Sequence, residues 1–134
     1  MDHPAAARPL SPHLQVYRLT FTMVLSGLHR IMGLALSVCS LLLAGWLVAV
    51  ARGPEAYAVA GRLLASLPAR LVLAGALVAF WYHLFAGFRH LAWDAGLGFE
   101  KAMTRKSGGL VVALAALASI LTLVAAWRFL GGSS

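Results

Sequence analysis

Residues 31–51 read IMGLALSVCSLLLAGWLVAVA, twenty-one residues without a charge. An α-helix rises about 1.5 Å per residue, so roughly 20 such residues cross the ~30 Å hydrocarbon core of a bilayer. Two further runs repeat the pattern. Residues 71–88 (LVLAGALVAFWYHLFAGF) are interrupted only by His83, and residues 107–127 (SGGLVVALAALASILTLVAAW) carry no ionisable group. Buried helices of water-soluble proteins rarely stay uncharged over this length. The chain has 134 residues, is 61% hydrophobic and has a mean hydropathy of +0.85, against roughly 45–50% apolar residues in soluble domains. The class that follows is all-α and integral to the membrane, with three transmembrane helices.

Working outward from these runs gives the remaining organisation. Residues 1–18 form an extended arm, because Pro9 and Pro12 restrict both themselves and the residues before them. The three-helix transmembrane domain covers residues 19–130, with helices at about 19–51, 69–93 and 108–129, and residues 131–134 are a tail. Gly53-Pro54 ends the first helix, and residues 55–67 read as a short amphipathic helix on the membrane surface. Pro68 opens the second membrane helix, and residues 94–108 form a basic loop. The glycines at 96 and 98 lack the third glycine and preceding strand of a dinucleotide fingerprint, and mark a turn. Trp46, Trp93 and Trp127 fall near helix ends, where interfacial tryptophans sit; Trp81 is deeper and is expected to pack against a neighbour.

The net charge of +7 does not describe a nucleic-acid surface, since the eleven Lys and Arg residues cluster at helix ends. Arg8, Arg18, Arg30, Arg89, Lys101, Arg105 and Lys106 flank one side of the membrane; Arg52, Arg62, Arg70 and Arg128 flank the other. Positive loops stay inside, so the N-terminus is expected to be cytoplasmic. Residues 1–20 hold three prolines and two arginines and lack the apolar core of a signal peptide. The first membrane helix is therefore expected to direct insertion. A bacterial inner membrane is the expected location, with a mitochondrial inner membrane as the second reading. The single cysteine, Cys39, supports no disulfide framework and no iron–sulfur cluster and reads as a small buried hydrophobe. No flavin motif and no catalytic residue is found.

Two groups of polar residues stand at membrane depth. Ser26, His29 and Arg30 share one face of the first helix at spacings of i, i+3 and i+4. Arg30 alone could simply snorkel into headgroups. A hydroxyl, an imidazole and a guanidinium together suit a ligand bearing carbonyl or carboxylate oxygens. On the second membrane helix His83, Gly87, His90 and Asp94 fall on one face. His83 lies six residues inside Arg89, about 9 Å below that interface. An imidazole there either bonds a neighbouring helix or ligates a metal, and haem iron is the reading favoured, with Gly87 leaving room for a porphyrin face. His90 lies about 10 Å further along the axis, too far to share an iron with His83, so a sixth ligand must come from elsewhere. The beginning of helix one and the end of helix two lie on the same membrane side. Arg30 and His29 can therefore meet the propionates of a haem held by His83.

Three ordered motifs, RPLSPHLQVY (8–17), SGLHR (26–30) with Gly33, and HLFAGFRHLAWD (83–94), resemble the cytochrome b subunits of succinate dehydrogenase. The resemblance covers the arm and the first two membrane helices, around 100 residues; helix three carries no motif. It implies a four-chain complex with a flavoprotein, an iron–sulfur protein and a second small membrane anchor. Electrons from succinate pass to a quinone, ubiquinone or menaquinone. It also implies that His83 is one axial ligand of a haem b shared with the second anchor, and that Ser26 and Arg30 line the quinone pocket. His29, Arg30 and His90 are assigned to the haem propionates. The alternatives are a haem-free structural anchor, a subunit of a fumarate reductase, and a small transporter, the last disfavoured because helix three offers only Ser119 and Thr122 beyond its start.

Overall fold

The computed structural model describes residues 16–131, and all its regular structure is helical. Four helices follow in order: α1 (Phe21–Ala51), α2 (Pro54–Leu64), α3 (Leu67–Asp94) and α4 (Lys101–Gly131). Of these, α1, α3 and α4 are long and apolar enough to cross a membrane. The expectations for residues 1–15, including the arm prolines and the first motif, lie outside the described residues, as does most of the tail.

Helix α1 begins where the Thr20 carbonyl accepts the amides of Met23 and Val24 at 3.0 and 3.1 Å. It is apolar all round, so periodicity alone does not say which side packs. The structure does: Leu25, His29, Met32, Leu36 and Cys39 lose exposure at steps of three and four residues, with Ser26, Leu28 and Gly33 half-buried beside them, while most remaining positions face outward. Cys39 is half-buried against α3 rather than fully enclosed. Gly53 makes the turn out of α1 with φ of 101°, a conformation open to glycine and costly for other residues. Pro54 then starts α2 at the first helical position, with Glu55 in its first turn and Arg62 in its last, both complementing the helix dipole.

Helix α3 is central and packs against both α1 and α4. Its contacts are made by small or partnered residues: Ala79, Ala86, Tyr82 and Arg89 are the buried positions. Helix α4 answers with Gly108, Val111, Ala115 and Ser119, again spaced for one face. Apolar attraction is weak between helices in lipid, so close approach of small residues and interhelical hydrogen bonds hold such bundles. Trp81 Nε1 donates to Thr122 Oγ1 at 3.1 Å, and the Tyr82 hydroxyl donates to the Leu25 carbonyl at 2.8 Å. At Gly108 a Cβ would stand 2.6 Å from Leu25 Cδ1, so α1 and α4 also touch.

Two expectations are revised. Hydropathy puts the start of the third membrane helix at about residue 108, whereas α4 starts at Lys101. Hydropathy misses its first turns because Lys101, Arg105 and Lys106 interrupt the apolar run. The loop shortens because α3 ends in a Schellman motif: Gly96 N donates to the Trp93 carbonyl at 2.8 Å and Leu97 N to the Ala92 carbonyl at 2.9 Å. Thr104 Oγ1 then bonds back to the Glu100 and Gly98 carbonyls. Arg89, counted above among the flanking charges, is 8% exposed. Its Nε donates to Ser107 Oγ at 3.0 Å, its Nη2 to the Thr104 carbonyl at 2.9 Å, and its guanidinium lies 4.1 Å over the Trp93 ring. It is a strut between α3 and α4.

Candidate functional site

The polar residues of α1 and α3 meet at a stack of three imidazoles. The His29 ring lies between those of His83, at 4.1 Å and 11° from parallel, and His90, at 4.7 Å and 17°. His83 and His90 stand seven residues apart on α3, two helical turns, and the α1 side chain enters the gap between them. Antiparallel packing of α1 on α3 brings this about, with Leu25 and Tyr82 fixing the pair beside it.

The hydrogen bonds assign the ring nitrogens. His83 Nδ1 lies 3.1 Å from the His29 carbonyl, and His90 Nδ1 lies 2.7 Å from the Ala86 carbonyl. A carbonyl only accepts, so both Nδ1 atoms carry hydrogen. In each neutral ring Nε2 then holds the free lone pair, the arrangement found in metal-ligating histidines whose other nitrogen is anchored by a backbone oxygen. The interhelical hydrogen bond considered above as the plain reading of His83 is therefore present, and it leaves the ligating nitrogen uncommitted. His29 Nε2 differs: it is buried and has no hydrogen-bond partner. A buried imidazole nitrogen without a partner costs free energy on the order of 1–3 kcal/mol, and a ligand oxygen is the group that would remove that cost.

The remaining candidates lie nearby without joining the stack. Ser26 is half-buried one turn before His29, and Arg30 is exposed; among the described residues neither has a side-chain hydrogen-bond or ion-pair partner. Gly87 is half-buried, a Cβ there would meet nothing within 4 Å, and Asp94 is exposed at the end of α3. The donor set as a whole fits a haem: a free Nε2 on His83, an orphaned ring nitrogen on His29, and a guanidinium on the same helix face. Among the described residues no group of three His, Cys, Asp or Glu side chains is arranged to hold a lone metal ion.

The tasks of three participants escape the sequence reading, which has Gly33 only as part of a motif and Arg89 only as a flanking charge. Gly33 backs the His83 ring, Tyr82 ties α3 to the α1 carbonyl of Leu25, and Arg89 braces α3 on α4. Tyr82 had a usable signal, since a phenol in an apolar span finds an acceptor. Within the apolar span of α4 the two hydroxyls are engaged by the helix itself. Ser119 and Thr122 return their hydroxyls to the Ala115 and Ala118 carbonyls at 2.7 and 2.6 Å, and Thr122 also accepts from Trp81. Neither hydroxyl is left free to line a polar pathway for the transporter alternative.

Comparison with known proteins adds an independent line. Residues 4–122 match the family described as succinate dehydrogenase/fumarate reductase transmembrane subunit. The chain is 43% identical to the succinate dehydrogenase cytochrome b556 subunit of Paracoccus denitrificans over 122 residues, 91% of this chain and 94% of that protein. It is 36% identical to the cytochrome b560 subunit of Reclinomonas americana, covering 85% and 83%. With the mitochondrial cytochrome b560 subunit of Mus musculus it shares 37% identity, covering 84% of this chain and 68% of the other.

Proposed function

Since the chain belongs to the family of succinate dehydrogenase/fumarate reductase transmembrane subunits, we propose that it is the cytochrome b anchor of a succinate:quinone oxidoreductase. In this role it holds haem b together with a second small anchor and forms part of the quinone-reduction site, with the iron–sulfur and flavoprotein subunits bound on the cytoplasmic side of a bacterial inner membrane. The observation that carries the reading is the imidazole stack, in which His83 keeps Nε2 free while His29 Nε2 is buried without a partner.

Each residue then has a task. His83 offers Nε2 to the iron, its tautomer held by the His29 carbonyl. His29 Nε2 and Arg30 would receive the propionates, whose carboxylates bond cations and ring N–H groups strongly; His90, whose Nδ1–H already goes to the Ala86 carbonyl, would join them with a second hydrogen on Nε2. Ser26 and Arg30 orient the quinone carbonyls and stabilise charge on its oxygens as electrons arrive; the protons come from the partner side and from water. Haem b, when bound, supplies a one-electron site beside the quinone. The chain has no catalytic residue of its own for succinate oxidation, which belongs to the partner subunits. Operation in the reverse direction, as a fumarate reductase, remains within the family description and depends on potentials set outside this chain.

A reduced-minus-oxidised optical spectrum of the purified complex, wild type against His83→Ala, tests the assignment. A low-spin b-type spectrum in the wild type that is lost or turns high-spin in the variant is the expected result. A wild-type complex without haem would leave the haem-free anchor as the correct reading.

A further inference from the structure

Gly33 lies on α1 one turn beyond His29, facing the His83 ring. A Cβ built there would stand 2.8 Å from His83 Cε1, 3.3 Å from Nδ1 and 3.7 Å from Nε2. The first distance is shorter than real Cβ contacts tolerate. Gly27 and Gly45 on the same helix would meet nothing within 4 Å. We propose that Gly33 is the positioning residue for the His83 imidazole, and that its missing side chain sets the gap between α1 and α3 in which the haem ligand is seated.

The His83 ring cannot step aside for a methyl group. Its Nδ1 is bonded to the His29 carbonyl, and one of its faces is covered by the His29 ring. Only two side-chain torsions are available, and turning either one breaks the hydrogen bond that fixes the tautomer or opens the stack. The alternative is to move α1 away from α3, which lengthens that same bond. Either response changes the orientation of Nε2. Helix geometry gives no separate reason for a glycine here, because the backbone is ordinary α-helix and the Gly33 carbonyl is bonded by the Ser37 hydroxyl at 2.9 Å. This inference rests on the haem reading of His83, and the two fail differently.

The test compares the intact membrane complex of the wild type with Gly33→Ala and Gly45→Ala. The reduced-minus-oxidised spectrum, the low-spin haem EPR signal and carbon monoxide binding to the reduced complex are measured at equal amounts of assembled complex. The six-coordinate low-spin signal of Gly33→Ala is expected to fall by about tenfold, as overpacking a fixed contact implies, with carbon monoxide binding appearing. Gly45→Ala is expected to match the wild type. Haem in the wild type with an unchanged spectrum in Gly33→Ala overturns the Gly33 inference alone; absence of haem from the wild type overturns the haem reading and this inference with it. If Gly33→Ala lowers the yield of complex, the Gly33→Ala/His83→Ala double variant decides. Recovery to the yield of His83→Ala alone shows that the imbalance lay between the two side chains. A double variant that stays depressed overturns the proposal.

Discussion

Ser26 and Arg30 occupy consecutive turns of the α1 face that carries His29, and neither side chain is engaged among the described residues. Substituting them is expected to slow electron delivery to the quinone while leaving succinate oxidation by an artificial acceptor intact. Each hydrogen bond to a charged group contributes about 1.5–3 kcal/mol. Arg30→Ala should therefore lower kcat/KM for quinone by roughly 10- to 150-fold. Arg30→Lys should recover only part, because an ammonium lacks the guanidinium fork. An equal fall with the artificial acceptor would place the defect in assembly instead. At this scale His83 and His29 were legible because an imidazole within an uncharged run is conspicuous. The task of Gly33 was not, since the motif contains the glycine but a sequence does not say what faces it. Arg89 was misread because its position near the end of an apolar run is that of an anchoring charge; only the packing of Ser107, Thr104 and Trp93 around it reveals the strut.

Helix α4 carries no motif, and its place in the bundle depends on contacts rather than chemistry. Gly108 meets Leu25 and Phe21 where a Cβ would be 2.6 and 3.0 Å from their side chains, while a Cβ on Gly109 would meet nothing within 4 Å. Gly108→Val is expected to destabilise the bundle by about 1–3 kcal/mol and Gly109→Ala to leave it unaffected, measured by reversible unfolding in mixed detergent micelles. Thr122→Val removes the acceptor of Trp81 and should cost about 0.6 kcal/mol, the usual size of an interhelical hydrogen bond in lipid. The three spans were readable from hydropathy alone. The start of α4 was not, because Lys101–Lys106 is polar and its helical state is fixed by Thr104 and Arg89, contacts that reach across the loop. Nor was the contact face of α1, since a helix apolar on all sides has no preferred side until a neighbour supplies one.

Over the whole molecule, among the described residues no large side chain is less than 2% exposed, and most large apolar residues of the three spans face outward. That surface is what lipid and a second anchor would cover. The expected orientation rests on charge: with Arg89 enclosed, five cations among the described residues (Arg18, Arg30, Lys101, Arg105 and Lys106) stand at the α1 start and four on the opposite side. The inside assignment for the N-terminus predicts a labelling pattern. In a Cys39→Ser background, Ala58→Cys on α2 should react with a membrane-impermeant maleimide in intact cells, and Ala102→Cys on α4 only after permeabilisation. The reverse pattern would invert the topology. Because α3 separates α1 from α4 along most of their length, the site was legible as two matched faces, whereas the insertion of His29 between His83 and His90 required the relative depth of the helices.

The partner of His83 Nδ1 is the main-chain oxygen of His29, an atom every residue at position 29 would supply. No substitution there deletes the acceptor. The protonation pattern of His83 is thus inherited with the docking of two helices and is insulated from drift in side-chain identity. In a genetic selection, second-site revertants restoring a disturbed His83 should map to the small residues that set helix spacing, and rarely to a new hydrogen-bonding side chain.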